Sequence, residues 1–293
     1  MSTKKEYTIG IDVGGTKIAG ILFDGKNVVA DYTLATPQDS IDHFFIMLQA
    51  VIEPLLEKAK ELKVKINGVG MGSAGVIDYG QGKIIEAPNI PVINGVKIAE
   101  ILAQKINLPV VLDNDCNCFV RAEALAGAAK NYKNVYGIII GTGIGGAWWH
   151  NGEVYRGSHG NAGEPSMMIV DFDKELQLEK DAYHKLLQNN PERMAEEGYR
   201  GDVLAQKAFE EVGKYLGLAF GNIINIVDPE VIVIGGGVVQ AADLFLPTLK
   251  KYMLLYVQSL EAKKIKVLKS KLGASAGAIG AALLLTQRIT HNA

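Results

Sequence analysis

Apolar residues recur along this chain in two rhythms. Residues 7–13, 19–24 and 27–34 are short, rich in β-branched side chains and separated by glycine turns, which predicts a meander of three antiparallel strands. At Ile41 the rhythm changes. Ile41, Phe44, Phe45, Leu48, Val51, Ile52, Leu55, Leu56 and Ala59 fall at helical spacing and predict one long amphipathic helix. Asp39 or Ser40 can cap it. Pro54 predicts a kink or a break, because proline gives no N–H to the helix ladder. "INGVGMG" and "PVVLDND" predict two further strands, with a helix over about 96–105 between them. After a helix over about 118–129, "NVYGIIIGTGIGGAWWHNGEVY" alternates and turns like the first meander, its turns marked by Gly141, Gly146 and Asn151-Gly152. A helix over about 202–225, the apolar strand "EVIVI", another helix, the short strand "KIKVL" and an Ala-rich terminal helix complete the pattern.

The two meanders resemble each other. "IGIDVGGTKIAGILF" and "GIIIGTGIGGAWWHNG" both run strand, polar–glycine turn, strand, and each opens one half of the chain. Two glycine-rich hairpins can match by chance; two related α/β domains are the other explanation. Such halves would face each other across a cleft, where ligands usually bind.

Composition narrows the partners. The chain has 293 residues with a net charge of −2, 48% of them hydrophobic and 21% charged, which fits a globular protein of two domains. That balance offers no electrostatic attraction to nucleic acid or to an anionic membrane. No apolar run is long enough to span a bilayer, and "MSTKKEY" lacks the apolar core of a signal peptide, so a cytoplasmic protein is expected. The two cysteines, Cys116 and Cys118, are too close for an unstrained disulfide and too few for a thiolate metal site. A reduced, partly buried pair is expected.

Candidate chemistry lies in the loops. In "DVGGTK", Gly14 and Gly15 let backbone approach a phosphate, Thr16 and Lys17 add a hydroxyl and a cation, and Asp12 can hold a hydrated Mg²⁺. A plain hairpin turn would also need the glycines. "GTGIGG" repeats the offer with Gly141, Thr142 and Gly143, and matches neither a Rossmann nor a Walker pattern. Gly235, Gly236 and Gly237 follow the strand "EVIVI" and leave backbone bare for a flat ring such as adenine. Three glycine loops at strand ends point to a nucleotide. Asp113, Asn114 and Asp115 end another apolar strand, where a carboxylate can accept the proton of an attacking hydroxyl. An Asn or Asp there can also cap the helix that follows.

With these residues assembled, the chain resembles the ROK family, sugar kinases and related repressors with the two-domain, ribonuclease H-like/actin-like ATPase (hexokinase-type) α/β fold. The resemblance runs over nearly the whole chain. Its motifs are "GIDVGGTK", "GSAG", "APNI", "NGV", "LDNDCN", "IIIGTGIGGA", "RGSHGNAGE", "DPEVIVIGGGV" and "GASAGAIGAA". It implies domains at 1–115 and 116–280, a C-terminal helix at about 281–293 packing back on the first, and a homodimer. It implies ATP and Mg²⁺ as cofactors and phosphorylation of a hexose or hexosamine, usually on the C6 hydroxyl, with domain closure excluding water. Asp115 matches the catalytic base, and Gly75, Asn89, Asn114, Asp115 and Glu164 match the sugar-binding residues. Asp12, Gly14, Gly15, Thr16 and Lys17 match the first phosphate loop. Gly141, Thr142 and Gly143 match the second, and the three glycines from Gly235 match the adenosine segment.

One segment departs from the family. Many members carry Glu-x-Gly-His-Met followed by a cysteine-rich zinc segment; here the stretch reads Glu164-Pro165-Ser166-Met167-Met168, with no cysteine after it. No zinc site is therefore expected, with Met167 as a core residue and the loop held by packing. The sugar-binding glutamate that closes the zinc segment corresponds to Glu179 in "QLEKDAY" or to Glu175. The departure leaves glucose as the first expectation, with N-acetylmannosamine or N-acetylglucosamine as the alternative. A repressor would need an N-terminal helix-turn-helix, yet Tyr7 already opens a strand, and a non-catalytic sugar sensor would not need both phosphate loops.

Overall fold

The computed structural model of the chain describes residues 7–291, with side chains through residue 286. Two compact units divide it. Of the described residues, the first comprises 7–127, Arg156–Ala162 and 275–291, and the second Ala128–Tyr155 and Gly163–Ala274. The helix that follows Asp115 thus lies with the first unit, whereas the sequence placed the boundary in front of it.

In the first unit, β1 (Tyr7–Val13), β2 (Lys17–Phe23) and β3 (Val28–Ala35) form the expected antiparallel meander. The chain then runs through α1 (Ile41–Glu61), β4 (Ile66–Ser73), the hairpin β5 (Val76–Asp78) and β6 (Lys83–Glu86), α2 (Ile98–Ile106), β7 (Val110–Asn114) and α3 (Asp115–Leu125). The sheet order is β3-β2-β1-β4-β7, with β4 parallel to β1 and β7 parallel to β4. Ser40 caps α1 by accepting from the His43 N–H at 3.2 Å, while Asp39 pairs with the His43 ring at 2.8 Å. Phe44, Phe45, Leu48, Val51, Ile52, Leu55 and Ala59 form its buried face, as their spacing predicts. Pro54 does not break it: the helix runs 21 residues without interruption. Proline removes one ladder bond, and the apolar face packed on both sides of it outweighs that loss.

The second unit repeats the plan. β8 (Asn134–Ile140), β9 (Ile144–His150) and β10 (Glu153–Tyr155) are an antiparallel meander. A small hairpin follows, β11 (Ile169–Asp171) with β12 (Leu176–Gln177), and then a π-helix over Leu178–His184. The sequence predicted neither that π-helix nor α4 (Pro191–Tyr199). Next come α5 (Val203–Val227), capped by Asp202, then β13 (Val231–Gly235), a 3-10 segment (Gly237–Leu244), α6 (Leu246–Leu255) and β14 (Lys266–Lys269). The sheet order is β10-β9-β8-β13-β14, with β13 parallel to both β8 and β14. Strand order and direction match the first sheet position for position, so the likeness of the two meanders reflects a repeated domain.

The last helix, α7 (Ala276–His291), belongs to the first unit and packs backbone to backbone. A Cβ on Gly10 would fall onto Ala278 and Ala282, one on Gly70 onto Ala281, and one on Gly280 onto the backbone of Cys118. The small residues of "GASAGAIGAA" permit that approach. No helix among the described residues is long and apolar enough to cross a membrane.

Candidate active site

Three parallel strands of the first unit end side by side. Asp12, Gly72 and Asp113 are register neighbours across β1, β4 and β7, and Val13, Ser73 and Asn114 follow in line. Open α/β sheets bind their ligands at this carboxyl edge, because the loops that leave it lie together. The turn from β1 to β2 carries Gly14, Gly15, Thr16 and Lys17 and is closed by Gly14 N–H donating to Lys17 O at 3.0 Å. Thr36 Oγ1 donates to Gly14 O and Gln38 Nε2 to Gly15 O, both at 2.7 Å. Thr36 and Gln38 were not expected from the sequence, since their link to the loop exists only once β3 lies beside β2. Asn89 borders the same turn: a Cβ on Gly15 would sit 3.0 Å from that of Asn89. Gly75 has φ 114°, which excludes most side chains, and its carbonyl accepts from Asn114 Nδ2 at 3.2 Å.

Asn114 is also the cap of α3. Its Oδ1 accepts from the N–H groups of Cys116 at 2.9 Å and Asn117 at 3.2 Å. Its oxygen is committed to the helix, and what it has left to offer a hydroxyl is N–H. Asp115 follows as the first residue of α3, with Oδ1 accepting from the Cys116 N–H at 2.9 Å. Burial raises its pKa, against the pull of these hydrogen bonds. Asp12 is pushed up to about 7, first by burial and then by the charge of Asp115, with Lys17 drawing it down. The first turn of α7 presses on it: a Cβ on Gly277 would lie 2.5 Å from Asp12 Oδ2.

Two half-buried carboxylates in each other's field suit a divalent cation. Mg²⁺ keeps its waters and takes one or two carboxylates plus substrate phosphates. Asp12, beside the first glycine loop, fits that role through water. Among the described residues no group of three or more His, Cys, Asp or Glu is placed to hold a metal ion directly.

Asp113 has a different task from its neighbour. It is fully buried, bonded through Oδ2 to Arg121 Nη2 and Arg156 Nη2 at 2.6 Å each, and through Oδ1 to Asn117 Nδ2 at 2.8 Å. Burial pushes its carboxyl up, and the two guanidinium groups with Asn117 outweigh that and hold it below the usual range. Arg156 stacks on Tyr79, 4.8 Å from the ring centre, and Tyr79 OH accepts from Asn117. Through Arg156 this cluster anchors the "RGSHG" turn, in which His159 is exposed. Sequence pattern gave neither arginine this role: Arg121 lies in an apolar helix with no sign of the carboxylate it will meet, and Arg156 stood only as the start of a motif.

In the second unit, β8 and β13 end together, Ile139 in register with Gly235. Gly141, Thr142 and Gly143 turn into β9, with Gly141 N–H donating to Gly143 O at 2.9 Å. Gly236 has φ 93° and lies so close to the Ile140 backbone that no Cβ fits, and Gly237 opens the 3-10 segment. The glycine loops of 141–143 and 235–237 therefore stand side by side. Gly163 packs on the backbone of Ala147 and Trp148 and accepts from Tyr136 OH at 2.7 Å, fixing the turn that carries Glu164. Glu164 Oε1 accepts from Ser166 N–H at 3.0 Å. Met167 is 65% exposed and not a core residue; Met168, next to it, is the one that packs on the core. Met168 O and Ser166 O accept from the N–H groups of Leu178 and Glu179 at 2.9 and 3.0 Å. Glu179 reaches the glycine loop, its Oε2 accepting from Ile144 N–H at 2.8 Å. Glu175 is exposed at the tip of the β11–β12 hairpin with φ 52°. Cys116 and Cys118 are buried and form no disulfide.

The ROK family matches residues 8–288. The chain is 33% identical over 258 residues to an N-acetyl-D-glucosamine kinase of Shigella flexneri serotype 5b, covering 78% of this chain and 83% of that protein. It is 28% identical over 294 residues to the xylose repressor of Bacillus subtilis, covering 94% and 76%. A solved ROK family glucokinase from Streptomyces griseus, in complex with glucose and AMPPNP, is similar with a TM-score of 0.80 and 26% identity, covering 96% and 99%. Two sheets of the same strand order, matched over their length to such a structure, are the actin-like ATPase fold expected from the sequence. On the match across both units, the chain belongs to the ROK family.

Proposed function

We propose that this protein is an ATP-dependent sugar kinase that transfers the γ-phosphoryl group to the 6-hydroxyl of a hexose, glucose first, with N-acetylglucosamine or N-acetylmannosamine as the alternative. The observation that carries this is Asp115. It is a half-buried carboxylate with a raised pKa, at the head of α3, in the field of Asp12 and on the same sheet edge as the first glycine loop. A hexose hydroxyl hydrogen-bonded to Asp115 is oriented for in-line attack. The O–P bond to the sugar forms, the bond to ADP breaks, and the hydroxyl proton passes to Asp115. A raised pKa makes that carboxylate a better acceptor late in the step.

Asn89, the remaining N–H of Asn114, the backbone of Gly75, and Glu164 are assigned to sugar hydroxyls, which need both donors and acceptors. The two glycine loops are assigned to phosphates, and Gly235, Gly236 and Gly237 to adenosine. Asp12 would hold Mg²⁺ through water, and the ion would supply neutralisation of phosphate charge. The glucokinase with glucose and AMPPNP supports the nucleotide and the first sugar, and the N-acetyl-D-glucosamine kinase supports the alternative. The test is a coupled assay with Mg²⁺-ATP across glucose, mannose, fructose, N-acetylglucosamine and N-acetylmannosamine. Turnover on at least one is expected; sugar binding without turnover on any would make the protein a sugar sensor instead.

A further inference from the structure

Resting on the kinase reading, we infer that Glu179 is a positioning residue for the second phosphate loop, acting with Tyr183 and His184, and not a ligand of the sugar ring. The π-helix over Leu178–His184 makes this possible. Its wider winding brings residues four and five positions apart onto one side, where an α-helix would bring three and four. Glu179, Tyr183 and His184 stand in that relation, and all three reach one glycine loop.

The contacts run along the loop residue by residue. Tyr183 OH donates to Gly141 O at 2.6 Å, His184 Nε2–H to Thr142 O at 2.9 Å, and Ile144 N–H to Glu179 Oε2 at 2.8 Å. A Cβ on Gly143 would lie 3.0 Å from Glu179 Oε1. A trans peptide is planar, with its C=O and the next N–H pointing opposite ways. Holding the carbonyls of Gly141 and Thr142 on the π-helix side therefore turns the N–H groups of Thr142 and Gly143 away from it. Those two N–H groups become the donors for a phosphate, while carbonyl oxygens that would repel it are removed. Glu179 finishes the pattern by taking the Ile144 N–H out of the anion's reach. The same helix bonds the backbone of Ser166 and Met168, so the Glu164 turn and the phosphate loop share one support.

The test separates nucleotide from sugar. Glu179→Gln keeps an acceptor for the Ile144 N–H, and Glu179→Ala removes it. With the sugar turned over best by the wild type, Glu179→Ala should raise the KM for ATP about 5–10-fold, from the loss of one hydrogen bond to the loop, with the sugar KM unchanged. Glu179→Gln should restore the ATP KM, and Tyr183→Phe should repeat the alanine effect more weakly. A raised sugar KM with an unchanged ATP KM in Glu179→Ala would overturn the inference. Should Glu179→Ala not fold, Glu179→Gln and Tyr183→Phe decide: an ATP KM unmoved by Tyr183→Phe overturns it. If the wild type turns over no sugar, the kinase reading falls alone. Titration with Mg²⁺-AMPPNP then decides this one: weaker binding in Tyr183→Phe and Glu179→Ala supports it, and equal binding, or none by the wild type, overturns it.

Discussion

Asp12, Asp113 and Asp115 lie on one strand edge within one unit, yet their surroundings shift their carboxyl groups differently. Asp115→Asn keeps the size of the side chain and removes the proton acceptor. Turnover should fall by about 10²–10⁴-fold, while sugar binding measured by calorimetry and the melting temperature stay near those of the wild type. Asp12 has a folded pKa of about 7 against 3.8 ordinarily, so the folded state holds its proton more tightly than the unfolded chain does. Its contribution to stability is full below 3.8 and is lost as pH rises through about 7. In metal-free buffer, Asp12→Asn should therefore gain on the wild type in melting temperature between pH 4 and pH 7, and Mg²⁺ with ATP should narrow that gap. Asp113 has the opposite sign: its pKa is depressed, so its stabilisation is present above 3.8 and lost in acid. Asp113→Asn would leave Arg121 buried without its carboxylate, and a loss of ~3–5 kcal/mol is expected in urea unfolding.

Among the elements, α7 and the π-helix show two ways of holding a site in place. α7 does it by contact without side chains. Gly277 lets its first turn rest on Asp12, and Gly280 lets it lie on the backbone of Cys118 in α3, the helix that Asp115 begins. Gly280→Val should lower stability by at least ~1–3 kcal/mol, the usual effect of overpacking a close contact, read as a fall in the urea midpoint at unchanged m-value. Gly277→Ala should leave the midpoint nearer the wild type and affect turnover more, because its methyl group meets the Asp12 carboxylate. The π-helix works instead through polar side chains, and its winding is what lets residues 179, 183 and 184 converge. Helical spacing was visible in the sequence for α1 and α5, where apolar faces repeat over many turns. It was not visible over 178–184, where seven residues of a different winding leave no periodic signature. The break that Pro54 allowed did not occur for a related reason: the rule concerns the local ladder, and the helix continues through the proline.

For the whole molecule, the doubled sheet is the organising fact, and it leaves open how the cysteine-free segment is held. If the π-helix and the packed turn at Pro165 hold the Glu164 loop, metal analysis of purified protein should find far less than one zinc per chain. Exhaustive EDTA treatment followed by Mg²⁺ should then return full activity. Zinc near one per chain would show the loop to be metal-held after all. The sequence by itself determined the meanders, the duplication, the three glycine loops and the carboxylates beside them, because these rest on short-range rules: alternation, turn chemistry and glycine's freedom at strand ends. It assigned Glu179 to the sugar with Glu175 as a rival, made Met167 a core residue, passed over Thr36, Gln38 and Arg121, and gave Arg156 only as the start of a motif. Only the tertiary structure supplies the contacts of these side chains, because each depends on a partner outside its own segment: Arg121 and Arg156 on Asp113, Thr36 and Gln38 on the first loop, Glu179 on Ile144. A side chain's type and neighbours in sequence say what it can bond to, and the fold alone says which bond is within reach.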